Sequence, residues 1–507
     1  MSNNYKIIVP FYNVSEWIHK CVKSIQLQEY KNYECYLIDD MSTDSTADKI
    51  KSLIQNDDRF FYIQNTEKKY ALRNIYEAIK LSGDHDEDII VTLDGDDWFA
   101  TKKALNILND IYSEYNCQMT YGSYLEYPAM KKGQFCQQIS ADIIKNNSYR
   151  NSRWVSSHLR TFKRHLWNRI ELADLTDDDG DFYKMTWDMA FMFPMLEMAG
   201  PLALHIPHIL YAYNRQNPLN DDKVNHSQQL QTEQKIRNKE AYSQSFVTCD
   251  ILGPGPANSG LGNQLFCVAN VLSYALDNNK IAVFPQLNTI EDVKKYKSIF
   301  YKKLKIGADL NIYNNFYSEK EFSYNKIPFI DGNLKLIGYY QSDQYFLHNR
   351  EKILDLLNIK ELKNHVQRKY KIDVSERISI HIRRGDYLNL KNYHGVLSLD
   401  YYKKAINFFG KDKKYIIFSD DIEWCRKIFN FIPNVIYSEC DSDWEDMILM
   451  SLCHSNIIAN STFSWWGAWL NESETKKVIA PKKWFSDKTR INTSDLYEST
   501  WIKISND

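Results

Sequence analysis

Ile89-Ile90-Val91-Thr92-Leu93-Asp94-Gly95-Asp96-Asp97 decides the fold of the first part of this chain. Five apolar or β-branched residues make a run short enough for a buried strand, and the run stops at three carboxylates around one glycine. Short apolar runs occur twice before it, and the second of them also ends in carboxylates. Lys6-Ile7-Ile8-Val9-Pro10 reads as a strand, and Cys35-Tyr36-Leu37-Ile38 as another that runs into Asp39-Asp40. Between them Ile18, Cys21, Val22 and Ile25 recur at helical spacing behind Ser15, a predicted N-cap. Strands alternating with amphipathic helices predict an α/β fold with a largely parallel sheet, in which ligands bind at the carboxyl ends of the strands. Asp40, Asp94 and Asp96 stand at such ends.

A second series begins after residue 244. In Ile378-Ser379-Ile380-His381-Ile382-Arg383 the residues alternate with period two, so the isoleucines share one face while His381 and Arg383 share the other. The strand breaks at Arg384-Gly385-Asp386. Two guanidiniums beside a glycine turn suit a pyrophosphate, because arginine offers a fixed bidentate fork and keeps its charge. For Arg384 and Asp386 the competing reading is a salt bridge that ties the turn. Gly260-Leu261-Gly262-Asn263-Gln264 opens an amphipathic helix, where glycines let backbone amides approach an anion. It lacks the Lys-Ser/Thr pair of a Walker loop, which excludes an NTPase of that type. Further strands are predicted at Tyr415 to Phe418, Asn456 to Ala459 and Val478 to Ala480. The first two of these lead into Ser419-Asp420-Asp421 and Asn460-Ser461-Thr462, whose polar side chains suit a donor's base, ribose or phosphate. Trp465, Trp466 and Trp469 are read as core packing in preference to a sugar platform.

Composition narrows the field. A chain of 507 residues that is 44% hydrophobic can bury more than one core, and a net charge of −2 gives no general field for nucleic acid or an anionic membrane. Nine scattered cysteines without a CxxC pair predict reduced thiols, neither a zinc site nor a disulfide framework. No apolar run approaches the roughly 18 to 20 residues of a membrane span. The expectation is a cytoplasmic protein without a transmembrane segment, in host cytoplasm if the gene is viral. Residues 217–244, polar with a helix expected around Gln228 to Tyr242, are read as a linker between a domain of residues 1–216 and one of residues 245–507. A charged break near Glu361 to Glu376 is read as dividing the latter into halves.

Two resemblances follow from these motifs. Ile7 to Asn13, Leu37 to Ser45 and Leu93 to Asp97 resemble the opening of family 2 glycosyltransferases, over about residues 1 to 215. That implies a GT-A fold, a UDP-sugar donor, inversion, and Mg²⁺ or Mn²⁺ held by Asp94 and Asp96. Pro10, Tyr12, Asp39, Asp40 and Asp94 are then donor contacts, with Asp40 on the base. The catalytic base is expected at Asp188, where the family's usual Glu-Asp pair is Trp187-Asp188. The run Asp177-Asp178-Asp179-Gly180-Asp181 competes for this role but suits an exposed loop better. His158, Arg160 and Arg164 are read as surface polar residues in preference to ligand contacts.

The segments SGLGNQLF (259–266), GYYQSDQYF (338–346), HIRRGDY (381–387), FSDD (418–421) and NSTFSWWGAWLN (460–471) resemble family 11 glycosyltransferases, the α-1,2-fucosyltransferases. Asn258 stands where that family commonly has a further glycine. The resemblance implies a GT-B fold of two Rossmann-like halves, GDP-L-fucose as donor and no metal. Arg383 would bind phosphate, with His381, Arg384 and Asp386 completing that site; Arg383, His381 and Asp386 are its catalytic residues. Arg384, Gly260, Gly262, Asn263, Asp420, Asn460, Ser461 and Thr462 would meet the donor. The base of this site is left open among Asp386, His381 and a carboxylate from the N-terminal half.

The functional expectation is a bifunctional glycosyltransferase. Its first domain adds a sugar, galactose by analogy with β-galactoside acceptors, and its second adds fucose at O2 of the resulting glycan. Two alternatives stand beside it: one domain is catalytic and the other a glycan- or nucleotide-binding module, or both are catalytically dead folds with a structural role.

Overall fold

The computed structural model describes residues 3–218, 226–255, 259–389, 393–489 and 491–506. Pro256, Asn258 and part of the polar stretch 217–244 lie outside the described residues. The chain forms two compact units, one of residues 1–244 with 305–314 and one of residues 245–304 with 315–507.

The first unit is built on a nine-stranded mixed sheet. Tyr5–Phe11 lies between Tyr33–Asp39 and Ile89–Thr92 and is parallel to both. Every residue of Tyr5–Phe11 and Ile89–Thr92 is buried, which explains why these segments read as continuous apolar runs rather than alternating ones. Ile89–Thr92 then pairs antiparallel with Arg160–Lys163, and that register sets Arg160 beside Thr92. The helix predicted after Ser15 spans Ile18–Gln26 and buries Ile18, Cys21, Val22 and Ile25, but Trp17 holds the N-cap position and no side chain caps it. In the polar stretch, His226–Arg237 is helical and belongs to this unit: Arg150 donates from Nη1 to Ile236 O at 2.8 Å, and Arg237 from Nη1 to Ser152 O at 2.9 Å. The segment 305–314 joins it through Ile306 N to Tyr115 O (3.1 Å) and Ala308 N to Pro201 O (2.8 Å).

The second unit holds two parallel sheets, of four and six strands. The smaller orders Ile281–Ala282, Phe246–Cys249, Leu334–Ile337 and Asn315–Ser318. The larger is centred on Arg377–Ile382, flanked by Lys414–Ser419 and Ser455–Ile457. The expected break at Glu361 to Glu376 is mostly a helix, Ile359–Tyr370, whose Ile359, Leu362 and Val366 are buried. Its charged residues are the solvent face of an amphipathic helix, so the charge signalled exposure rather than a loop. All nine cysteines are unpaired, and Trp465, Trp466 and Trp469 are fully buried. No helix is long and apolar enough to cross a membrane, among the described residues.

Two candidate active sites

The first cleft, of about 570 Å³, opens at the carboxyl ends of Tyr5–Phe11 and Ile89–Thr92 and gathers Pro10, Tyr12, Asp40, Asp94, Asp96 and Asp188. Asp39 does not reach it. That side chain is 0% exposed, accepting from Ser42 N (2.7 Å) and Tyr62 Oη (2.8 Å), so it ties the turn after its strand. Asp40 is also heavily used: Lys69 N (2.8 Å), Tyr70 N (3.0 Å) and Asn65 Nδ2 (2.9 Å) donate to it, and Lys68 Nζ lies at 3.4 Å. Burial would raise its pKa, yet these hydrogen bonds hold it below the usual carboxylate range. Lys68 also stands 2.9 Å from the centre of the Tyr12 ring.

His158, Arg160 and Arg164 are buried, contrary to the surface reading, and the first two line the cleft. Arg160 opens a strand inside the sheet, His158 comes just before that strand and Arg164 just after it, so polarity did not mean exposure. Arg160, 2% exposed, donates from Nη2 to His158 Nε2 (3.0 Å) and to Asp188 Oδ2 (3.0 Å). His158 is stacked between Tyr211 (4.6 Å) and Tyr213 (5.3 Å), with Nδ1 2.8 Å from Ser157 Oγ. Burial and the Arg160 charge lower its pKa, which keeps the ring neutral with Nε2 as acceptor. Asp94 Oδ2 lies 3.6 Å from that nitrogen. Arg164 is elsewhere, donating to Ser82 Oγ at 2.9 Å. Asp188 sits in the first turn of Trp187–Ala199 and also accepts from Met189 N at 3.0 Å. The competing acidic run is exposed and folds on itself, with Asp179 N and Asp181 N donating to Asp177 Oδ1.

Asp94, Asp97 and His158 have ligand atoms within 4.8 Å of one another, a grouping compatible with a cation. Asp97 is the poorest donor of the three: Tyr211 Oη (2.5 Å) and Asn214 N (2.7 Å) occupy it. Burial, with the charges of Asp96 and Asp94, also pushes its pKa well up. The carboxylates left to a hard divalent ion are Asp94 and Asp96, both facing the cleft. Those two residues fit such an ion.

The second cleft, of about 510 Å³, collects Gly260, Gly262, Asn263, His381, Arg383, Asp386, Asp420, Ser461 and Thr462. Arg383 is braced by two carboxylates, Asp386 Oδ1 at 2.8 Å and Asp420 Oδ2 at 3.1 Å. Arg384 turns away to Asp421 (3.1 Å) and lies 3.8 Å over the Trp424 ring, so the turn-tying salt bridge exists but runs to Asp421. Asn460 is likewise withdrawn, its Nδ2 donating to Gly395 O (2.8 Å) and Trp484 O (3.0 Å). Gly262 serves packing: a Cβ there would meet Thr462 C at 2.5 Å, and its carbonyl accepts from Trp466 Nε1 at 2.9 Å. Burial and Arg383 push the His381 pKa down to about 3, so its imidazole is neutral and a weak proton acceptor. Tyr387, the last residue of HIRRGDY, also lines this cleft, as do His394 and Asp446, which carried no sequence signal beyond their type.

Residues 256–505 match the model of Glycosyl transferase family 11, and residues 6–170 that of Glycosyl transferase family 2. The chain belongs to both glycosyltransferase families, one in each part. It is 42% identical over 184 residues to the O-antigen biosynthesis glycosyltransferase WbnK of Escherichia coli, covering 33% of this chain and 60% of that protein. It is 30% identical over 292 residues to an alpha-1,2-colitosyltransferase of Escherichia coli, covering 48% of this chain and 96% of that protein. Glycosyltransferase GlyA of Streptococcus pneumoniae is 28% identical over 214 residues, 41% of this chain and 30% of that protein. This chain is thus a glycosyltransferase with two such domains.

Proposed function

We propose that both clefts are catalytic: the first transfers a sugar from a UDP-linked donor with inversion, and the second a 6-deoxy-L-galactose-type sugar from a GDP-linked donor to O2 of the resulting glycan. On this reading the first unit is a GT-A domain and the second a GT-B domain of two Rossmann-like halves. The observation that carries the proposal is the difference in the groups that face the two clefts. Asp94 and Asp96 face the first, and the braced guanidinium of Arg383 faces the second.

In the first site Asp94 and Asp96 would hold Mg²⁺ or Mn²⁺, which when bound neutralises the charge of the leaving diphosphate. Asp188, fixed by Arg160 and its own helix, takes the acceptor proton. In the second site Arg383 meets the diphosphate directly, a role suited to a fork that cannot be deprotonated. Asp386 and His381, which both face the cleft, are the groups proposed to take the acceptor proton. Fucose and colitose, which is fucose without its 3-hydroxyl, are the donor sugars that the family and the colitosyltransferase relative suggest. A β-galactoside is the proposed acceptor, and galactose the proposed first sugar.

The test uses the whole chain with a panel of UDP-sugars for the first transfer, and with GDP-fucose or GDP-colitose and a preformed β-galactoside acceptor for the second, each with and without EDTA. EDTA should stop the first transfer and spare the second. A second transfer that also stops would overturn the arginine mechanism.

A further inference from the structure

We propose that the aromatic wall of Phe322, Tyr393, His394 and Phe485 is the acceptor subsite of the second cleft, receiving the apolar C–H face of a hexopyranoside. The inference deepens the proposed reading of that cleft and commits it to one side for the acceptor. A file of rings leads away from the phosphate-facing arginine. The Arg383 guanidinium lies 5.6 Å from the Tyr387 ring, Tyr387 stacks on His394 at 4.4 Å, and Phe485 stands 5.7 Å from His394. Phe485 then meets Tyr393 at 5.2 Å and Phe322 at 5.3 Å. An acceptor hydroxyl has to reach the anomeric carbon, one bond from the diphosphate, so a platform that starts one ring from Arg383 is placed for the acceptor.

Exposure separates this wall from a small core. Trp465, Trp466 and Trp469 are 0% exposed, and the indole N–H groups of Trp465 and Trp466 are spent on Leu496 O (2.6 Å) and Gly262 O (2.9 Å). Tyr393, by contrast, is 47% exposed, and Phe322 and Phe485 are half-buried on the cleft. Rings kept partly in water at a cleft have an apolar face still to cover, and the C–H side of a pyranose covers it without stranding hydroxyls. His394 supplies the polar atom of the wall: its Nδ1 is shut off from solvent and makes no hydrogen bond among the described residues. A lowered pKa, from burial first, keeps that ring neutral.

Lactose serves as probe, with saturation-transfer NMR on the full chain in the presence of GDP. Saturation should fall mainly on the galactose ring C–H protons. Phe485→Ala should weaken lactose binding and raise the acceptor KM about tenfold or more, and Tyr393→Ala severalfold, with GDP affinity and donor hydrolysis unchanged. Phe485→Trp, which keeps a ring, should restore binding, so a misfolded alanine variant cannot pass as support. Wild-type protein that fucosylates lactose, with both alanine variants binding lactose normally, overturns the subsite alone. A loss of GDP affinity in Phe485→Ala also overturns it, since the wall would then stack a base. Wild-type protein that binds GDP but neither binds nor modifies lactose, methyl β-glucoside or methyl β-N-acetylglucosaminide overturns the acceptor reading and the subsite together.

Discussion

Each cleft contains an arginine paired with carboxylates, and the two differ in whether the guanidinium is left open to the ligand space. In the first, the Arg160 side chain is 3% exposed and that of its partner Asp188 22%, so the carboxylate is the open end of the pair. In the second, Arg383 is 34% exposed even though Asp386 and Asp420 brace it, and all three line the cleft. The same ion-pair chemistry therefore withholds a guanidinium from one site and leaves one reachable in the other. Presence of an arginine says little about a site; how far its guanidinium stays open decides whether it can meet an anion.

That contrast breaks most sharply at its centres. Arg383→Ala should cut the second transfer by about 10³-fold while the first continues, and Asp96→Ala should do the converse, read by separate assays of each donor. If either variant lost both activities, the independence of the two charge arrangements would be refuted. Asp188→Asn comes next, with an expected loss of about 10²–10⁴-fold in kcat of the first transfer and little change in donor KM. A smaller effect belongs to Arg160→Gln, about tenfold in kcat, because Asp188 keeps its backbone contact to Met189 N. A wild-type rate in that variant would show that the hidden arginine does not position the base.

Two predictions concern stability. Gly262→Ala should lower the melting temperature of the second unit, costing about 1–3 kcal/mol, because the new methyl meets the backbone of Thr462. The folded pKa of His381, about 3, lies below the ordinary value of about 6.5. The unfolded chain therefore binds the extra proton between those values, and stability falls as pH drops below about 6.5, by up to about 1.4 kcal/mol per pH unit from this residue. Denaturation of His381→Gln at pH 7 and pH 5 should show that much less acid sensitivity than wild type, and equal slopes would exclude the histidine as the source.

Strand positions were legible because burial on both faces writes itself as a local apolar run, as in Ile89–Thr92, and because period-two alternation marks Arg377–Ile382. Asp94, Asp96, Asp188 and Arg383 were legible because each sits at or near an element end. What failed was anything set by register between distant segments. The burial of Arg160 depends on the antiparallel pairing of Thr92 with Arg160, and that of His158 on the rings of Tyr211 and Tyr213, which no local pattern announces. Asp39, Arg384 and Asn460 are the reverse case: they stand beside site residues in sequence, but their side chains are spent on Tyr62, Asp421 and Trp484 O. Adjacency in sequence is thus a poor guide to which side chain faces a cleft.

The segment 305–314 has a practical consequence for anyone who would separate the activities. It belongs to the first unit, although it is flanked in the chain by portions of the second. Cutting the gene after residue 244 would therefore leave an amino-terminal fragment without the strip whose Ile306 and Ala308 bond Tyr115 and Pro201. The complementary fragment would carry that strip with its apolar side chains orphaned. Point inactivation of one cleft in the intact polypeptide is the cleaner dissection, and an inactive fragment would say nothing about the chemistry it contains.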